Sequence, residues 1–349
     1  MSKLNILYEM NKVKKKYIRQ DAESILELIS KDEEDQSISQ EKRKPLSKEE
    51  FINLLKENHI KEINSLKDSY LKYEQINKEI DVLVINALDN DPAVRLNKVL
   101  LDNYVKEIQG SLDTICNIFN VKKLVIVSEE GLKDKSEKIL SNTSNKNMEI
   151  LPNHYGWLGD DFLKEKLNLQ NQNSVVVESL LDLYYIYQLI NFNKITNFLI
   201  NIDGGAVNKK GVFTIAKEST YKEIVDALGG FNKEPYKIIS GGILKGQGIF
   251  QLDDQIKSGD FSLLFLTEKE SPSYKEEVCI RCGNCIDICP KKLVPMKLKD
   301  YAIERNFDRF KKAKGLDCIN CGLCSYVCPS KRHLVQSINT AKNIILDTK

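Results

Sequence analysis

Eight of the nine cysteines in this 349-residue chain fall between Cys279 and Cys328. Cys279, Cys282, Cys285 and Cys289 read C-x2-C-x2-C-x3-C with Pro290 next, and Cys318, Cys321, Cys324 and Cys328 repeat the pattern ahead of Pro329. Three thiolates at two-residue gaps can wrap one corner of an iron–sulfur cubane while their backbone amides point at its sulfurs. The fourth, beside proline, leaves on another heading, and in two-cluster ferredoxins it ligates the other cluster. The spacing therefore predicts two [4Fe–4S] clusters. One takes Cys279, Cys282, Cys285 and Cys328; the other takes Cys318, Cys321, Cys324 and Cys289. C-x2-C pairs also hold zinc, but tetrahedral zinc gives no reason for a third cysteine at the same gap. Gly283 and Gly322 follow the second cysteine of each run, where the backbone must pass close to the cluster.

The ninth cysteine, Cys116, lies in SLDTICNIFN with Ile115, Ile118 and Phe119 at helical spacing, and reads as a small apolar core residue. His333 lies five residues past Cys328 and reads as solvent-facing or cluster-flanking. Gly204-Gly205, Gly229-Gly230, Gly241-Gly242 and Gly246-Gln247-Gly248 are the remaining glycine groups. None opens a strand–helix unit with dinucleotide spacing, so all are read as turns.

Composition narrows the classes. Lys and Arg number 52 against 50 Asp and Glu, a formal charge of +2, which lacks the basic excess that phosphate binding needs. No nucleic acid is expected. The opening MSKLNILYEMNKVKKKYIRQ has no apolar core of signal-peptide length, and no run of about 18 apolar residues follows. The expectation is a cytoplasmic chain without direct membrane insertion, peripheral to a membrane only through a partner. From Cys279 to Lys349 there are 14 Lys and Arg against 6 Asp and Glu. That local excess offsets cluster charge and favours an acidic redox partner through steering.

Elements must position these cysteines. Residues 1–45 are highly charged; Ile18, Ile25, Leu26 and Ile29 at helical steps suggest a helix, followed by a solvated linker. Ser47 and Glu50 ahead of Phe51, Ile52, Leu54 and Leu55 form a capping-box signature. IDVLVINAL (80–88), KKLVIVSEE, NMEILP (147–152) and SVVVES (174–179) read as strands. Between the first two runs an amphipathic stretch from Ala93 to Phe119, and LLDLYYIYQLI (180–190) is helical behind the last. Strands alternating with helices imply a mostly parallel α/β sheet. Residues 198–270 then supply several strands, glycine turns and one short helix, the pattern of a small mixed sheet. A helical connector, LKDYAIERNFDRFKKAKG, separates the two cysteine runs.

This order resembles the RnfC family of electron-transfer subunits and its relative PrdC, the proline reductase-associated protein, over about residues 46–345. The likeness is strongest in Cys279–Pro290 and in LDCINCGLCSYVCPSKRHLVQSI (316–338). IDGGAVNKKGVFTIAKESTYKEIVDALGGF is similar to the family's soluble-ligand-binding β-grasp (SLBB) domain, and IDVLVINALDNDPAVRLNKVLLDNYVKEI to its flavin and nicotinamide domain. The resemblance implies an α/β chain in four parts. A charged arm and linker (1–45) precedes a parallel-sheet domain like the complex I flavoprotein, with a degenerate flavin site (46–193). A β-grasp SLBB domain (194–270) and a helical two-cluster ferredoxin domain (271–349) follow.

It further implies a carrier of single electrons between redox partner proteins, in a membrane-bound or reductase complex. Family members cradle flavin phosphate in a glycine-rich loop, whereas residues 59–80 here contain no glycine, so neither FMN nor NADH is expected. The alternatives are an NADH-oxidising, FMN-binding subunit of an Rnf-type complex and a protein like the cobalamin reductases.

Overall fold

The computed structural model describes residues 46–62, 68–76, 79–89, 91–140, 145–152, 160–271 and 274–347, with the backbone of 25–29. Ile25–Ile29 is a strand, β1, where helical spacing had suggested a helix. It adds in parallel to the edge strand Gly211–Ala216. An open sheet edge offers a row of backbone donors and acceptors, and ILELI is an apolar run short enough to take them. The rest of that predicted helix, and the linker after it, lie outside the described residues.

Helix α1 (Lys48–Glu57) begins at the expected capping box: the Ser47 hydroxyl accepts from the Glu50 amide at 3.2 Å, and the Glu50 carboxylate accepts from the Ser47 amide at 2.7 Å. It buries Phe51, Ile52 and Leu55. The short α2 (Tyr70–Glu74) adds Tyr73, whose ring lies 5.1 Å from both Phe51 and Phe119. Each such aromatic pair contributes about 0.5–1.5 kcal/mol beyond area burial.

The strands β2 (Val82–Asn86), β3 (Lys123–Ser128), β4 (Lys146–Ile150) and β5 (Val175–Ser179) form an all-parallel sheet in the order β4-β3-β2-β5. Alternation divides its side chains between two cores. Leu83, Ile85, Leu124, Ile126 and Val176 enter the main core with the helices, while Val82, Val84, Val125, Val127 and Val177 meet Leu163 and Leu169 on the other face. Burial on both faces is why these strands read as continuous apolar runs.

The amphipathic stretch after β2 breaks at Tyr104 into α3 (Leu96–Asn103) and α4 (Val105–Phe119). Helix α5 (Lys133–Ile139) follows β3, α6 (Asp160–Lys166) precedes β5, and α7 (Leu180–Phe192) leaves it. From α7 the chain enters β6 (Asn197–Asp203) and β7 (Gly211–Ala216). Helix α8 (Tyr221–Ala227), β8 (Lys237–Ser240), β9 (Gln247–Gly248) and β10 (Ser262–Leu266) complete a six-stranded mixed sheet ordered β1-β7-β6-β10-β8-β9. Its core is continuous with that of the parallel sheet.

The C-terminal region is helical: α9 (Asn284–Asp287), α10 (Pro295–Ile303), α11 (Phe307–Lys312), α12 (Leu323–Tyr326) and α13 (Leu334–Asp347). The connector between the cysteine runs is thus helical, as its sequence suggested. Among the described residues, no helix is long and apolar enough to cross a membrane.

Candidate metal centre

The two cysteine runs fold alike at the backbone. Arg281 and Asn320, Gly283 and Gly322, and Lys292 and Lys331 are equivalent positions 39 residues apart, and all six have positive φ. Gly283 (φ +85°) and Gly322 (φ +76°) sit at the N-termini of α9 and α12, where the chain turns sharply enough to present three cysteines to one side. Only glycine takes this conformation without a Cβ penalty.

The runs exchange their last cysteines. Cys279, Cys282, Cys285 and Cys328 line one cavity, together with Met296, Arg332 and Leu334. Cys318, Cys321, Cys324 and Cys289 line a second, together with Leu293, Val335 and Ile338. These are the two sets that the spacing predicted. The cavities hold about 340 and 360 Å³ of empty space, part of it open to solvent. Leu334 and Val335 at the start of α13 stand between them in an apolar group with Met296, Cys285, Cys324 and Cys328.

Four thiols around each cavity suit a cubane in donor number and type. Among the described residues, no three His, Cys, Asp or Glu side chains converge as a site for a single metal ion, which would hold each sulfur about 2.3 Å from one zinc centre. Backbone amides are aimed at the sulfurs: Leu293 donates to the Cys289 sulfur at 3.4 Å, and the amides of Met296, Asn320, Leu323 and Ser325 serve Cys285, Cys318, Cys321 and Cys324.

The second cavity is the deeper one. Cys321 and Cys324 are both buried, whereas Cys282 in the first is exposed. Burial pushes the Cys321 thiol up to about 11 and raises Cys324 well above its ordinary value. Metal binding to such thiols must displace their protons. The cover comes from the turn Gly241–Gly246 after β8. Leu244 packs on Cys321, Leu323, Ile288 and Ile319, and its carbonyl lies against Gly322 so closely that a Cβ there would sit 2.1 Å from the oxygen.

That turn is itself tied to the parallel sheet. The Asp91 carboxylate, in the loop after β2, accepts from the Leu244 amide at 2.8 Å and from the Ala93 amide at 3.0 Å. Burial raises Asp91 above its ordinary pKa, and these amides offset part of the rise. Lys245 lies within electrostatic reach of Cys321, Asp160 and Asp91. Lys291 completes the attachment through an ion pair to Asp161 on α6 at 2.5 Å.

The carboxyl end of the parallel sheet, where strand order reverses between β2 and β5, is filled by charge. Lys72 Nζ lies 2.7 Å from a Glu178 carboxylate oxygen and 3.1 Å from Glu62, and the Tyr73 hydroxyl donates to the same Glu178 oxygen. Glu178 is fully buried. Burial lifts it to about 7, with the Lys72 ammonium offsetting part of that rise. Burial also opposes the charge on Lys72, but Glu178 and Glu62 outweigh it and hold Lys72 above its ordinary value. Sequence reasoning passed over Lys72, Glu178, Leu244 and Lys245. Glu178 had a signal, a carboxylate inside the apolar strand SVVVES; the other three had none, because their partners are distant in sequence.

Cys116 is half-buried on α4 against the main core, and burial pushes its thiol up to about 11, consistent with the inert role expected of it. His333 is exposed and lines neither cavity.

Residues 278–332 match the family model of a 4Fe-4S dicluster domain. The RnfC component of the proton-translocating ferredoxin:NAD(+) oxidoreductase complex of Clostridium ljungdahlii is 31% identical over 282 residues, covering 76% of this chain and 61% of that protein. Its counterpart in the Na(+)-translocating complex of Acetobacterium woodii is 28% identical, covering 77% and 63%. The chain is RnfC-like. This RnfC-like chain spans about three fifths of the length of these two curated relatives. A crystal structure of an NAD+-reducing [NiFe]-hydrogenase in the H2-reduced state shares its fold, with a TM-score of 0.58 over 86% of this chain and 61% of that one, at 12% identity.

Proposed function

We propose that this chain relays single electrons between redox partner proteins through two [4Fe–4S] clusters, as a peripheral subunit of an Rnf-type membrane complex. The observation that carries this reading is the exchange of fourth cysteines. It sets two complete thiolate sets back to back across one apolar wall. A [4Fe–4S] cluster supplies one-electron oxidation and reduction when bound. The chain's own groups do the rest. Cys279, Cys282, Cys285 and Cys328 hold one cluster and Cys318, Cys321, Cys324 and Cys289 the other, while the directed amides and burial set the potentials. Leu334, Val335 and Met296 keep water from between the sites.

The same reading assigns residues 46–193 to a domain like the complex I flavoprotein, 194–270 to an SLBB β-grasp domain and 271–349 to the cluster domain, with 1–45 as an arm. It leaves out FMN and NADH. Ligands of such sheets sit at the strand-order reversal, and there Lys72 and Tyr73 close on Glu178, while residues 59–80 offer no glycine for a phosphate. The residues present do not suit a flavin.

Anaerobic reconstitution tests both parts. Cys285→Ser should lose about half of the bound iron, and Cys116→Ser none; equal losses would refute the ligand sets. Dithionite should bleach the visible absorbance without flavin in the sample. Bleaching by NADH with flavin bound would make the chain an NADH-oxidising flavoprotein instead.

A further inference from the structure

We propose that the first cysteine cavity is the port at which electrons cross to another protein, and that its exposed rim docks an acidic one-electron carrier. This rests on the electron-relay reading above and specifies where its partner binds.

The rim is apolar and exposed to an extent matched nowhere around the second cavity. Val278 is 87% exposed, Ile280 67% and Tyr274 57%, and the Cys282 thiol lies open beside them. A Cβ built on Gly283 meets nothing within 4 Å, so no other part of the chain covers this turn. The segment is nonetheless held in place. The Glu277 amide donates to the Ser330 carbonyl at 3.0 Å, Glu276 is ion-paired to Arg332 at 3.2 Å and to Lys299, and the Lys331 ammonium lies 5.0 Å from the Tyr274 ring centre. An apolar patch kept exposed on an anchored backbone has the character of an interface. Here it borders a cavity ringed by thiols, the one place on this face where an electron could leave.

Charge selects the occupant. Arg281, Lys275 and Lys331 are exposed around the patch, with Glu277 and Asp287 as the nearby exposed acids. The whole segment 279–349 has 14 basic residues against 6 acidic, while the preceding 278 residues carry 38 against 44. A partner bearing acidic groups around an apolar centre is steered onto this end of the molecule, and a second copy of the chain is repelled from it. In the exchange one electron passes from the reduced protein to the oxidised one. No bond or proton changes place.

The test uses the full-length chain, reconstituted anaerobically, reduced with dithionite and desalted. It is mixed in a stopped-flow instrument with oxidised flavodoxin, an acidic carrier whose semiquinone can be followed by absorbance. The rate constant should fall steeply with added salt, and Arg281→Glu with Lys331→Glu should slow it about tenfold at low salt, the gap closing at high salt. Lys311→Glu with Lys312→Glu, on α11 and lining neither cavity, should change it less than twofold. Arg281 lines the cavity, so Lys331→Glu and Lys275→Glu are also made singly, and iron content must equal that of the parent. Amide-exchange protection at 274–282 on adding flavodoxin is the second readout.

Equal slowing by the α11 pair, or protection elsewhere, would overturn the port. Self-association of the chain through the rim, seen by light scattering, would overturn it as well. Ferricyanide separates the two levels. A reduced chain that cannot reduce ferricyanide defeats the relay itself, whereas normal ferricyanide reduction with a rim-independent flavodoxin rate defeats only the port.

Discussion

The two cysteine runs share a spacing, three positive-φ positions and a short helix, yet they end in different surroundings. Around the first, Ile280 and Cys282 face solvent and Gly283 is open; around the second, Ile319 is packed, Cys321 is buried and Gly322 lies under the Leu244 carbonyl. Local sequence dictates the loop, since the turn residues and gaps recur. Tertiary contacts dictate the cover, since the turn that shields the second run comes from the mixed sheet and is tied to Asp91 of the parallel one. One motif therefore yields an outward site and an inward site. The sequence of the motif alone does not say which is which.

The glycines provide the largest contrast. Both occupy left-handed backbone, which costs a residue with a Cβ about 1–2 kcal/mol. At Gly322 a Cβ would also strike the Leu244 backbone oxygen, and overpacking of that kind costs a further ~1–3 kcal/mol. Gly322→Ala should therefore destabilise the reconstituted protein by roughly 2 kcal/mol more than Gly283→Ala in denaturant titrations. Equal losses would mean that the two turns are equally free and the contrast is wrong.

Side-chain cover gives the next difference. Leu244 is half-buried on Cys321 and Leu323, so Leu244→Ala should cost about 1–2 kcal/mol, toward the low end for core truncations. Ile280→Ala removes a side chain that is 67% exposed and should stay within about 0.5 kcal/mol. A destabilisation by Ile280→Ala as large as that by Leu244→Ala would show that the first rim is structural rather than presented to a partner.

Much of this was legible in the residues alone. The ligand sets followed from C-x2-C-x2-C-x3-C-P written twice, because cluster chemistry fixes both gap and heading. The parallel strands followed from IDVLVINAL and SVVVES, because burial on both faces leaves an unbroken apolar run. What escaped had two causes. Ile25–Ile29 fits helical and strand spacing alike over so few residues, and an available sheet edge decided between them. Leu244 and Lys245 look like an ordinary glycine turn, and Lys72 like one more lysine in a charged segment. Their roles come from Gly322, Asp91 and Glu178, each far along the chain, and spacing does not encode such pairs.

The smallest expected effect is kinetic and reports on both sites within a single molecule. Oxidative attack on cysteine sulfur follows exposure, and Cys282 is exposed while Cys321 and Cys324 are buried. In air-saturated buffer the visible absorbance should therefore fall in two phases of similar amplitude, differing a few-fold in rate. The fast phase belongs to the first site. Leu244→Ala uncovers the second run without touching the first, so it should speed the slow phase toward the fast one and leave the fast phase unchanged. If bleaching is single-phase, or if Leu244→Ala speeds the fast phase, then the turn after β8 does not set the exposure of the second site, and the difference between the runs has no chemical consequence.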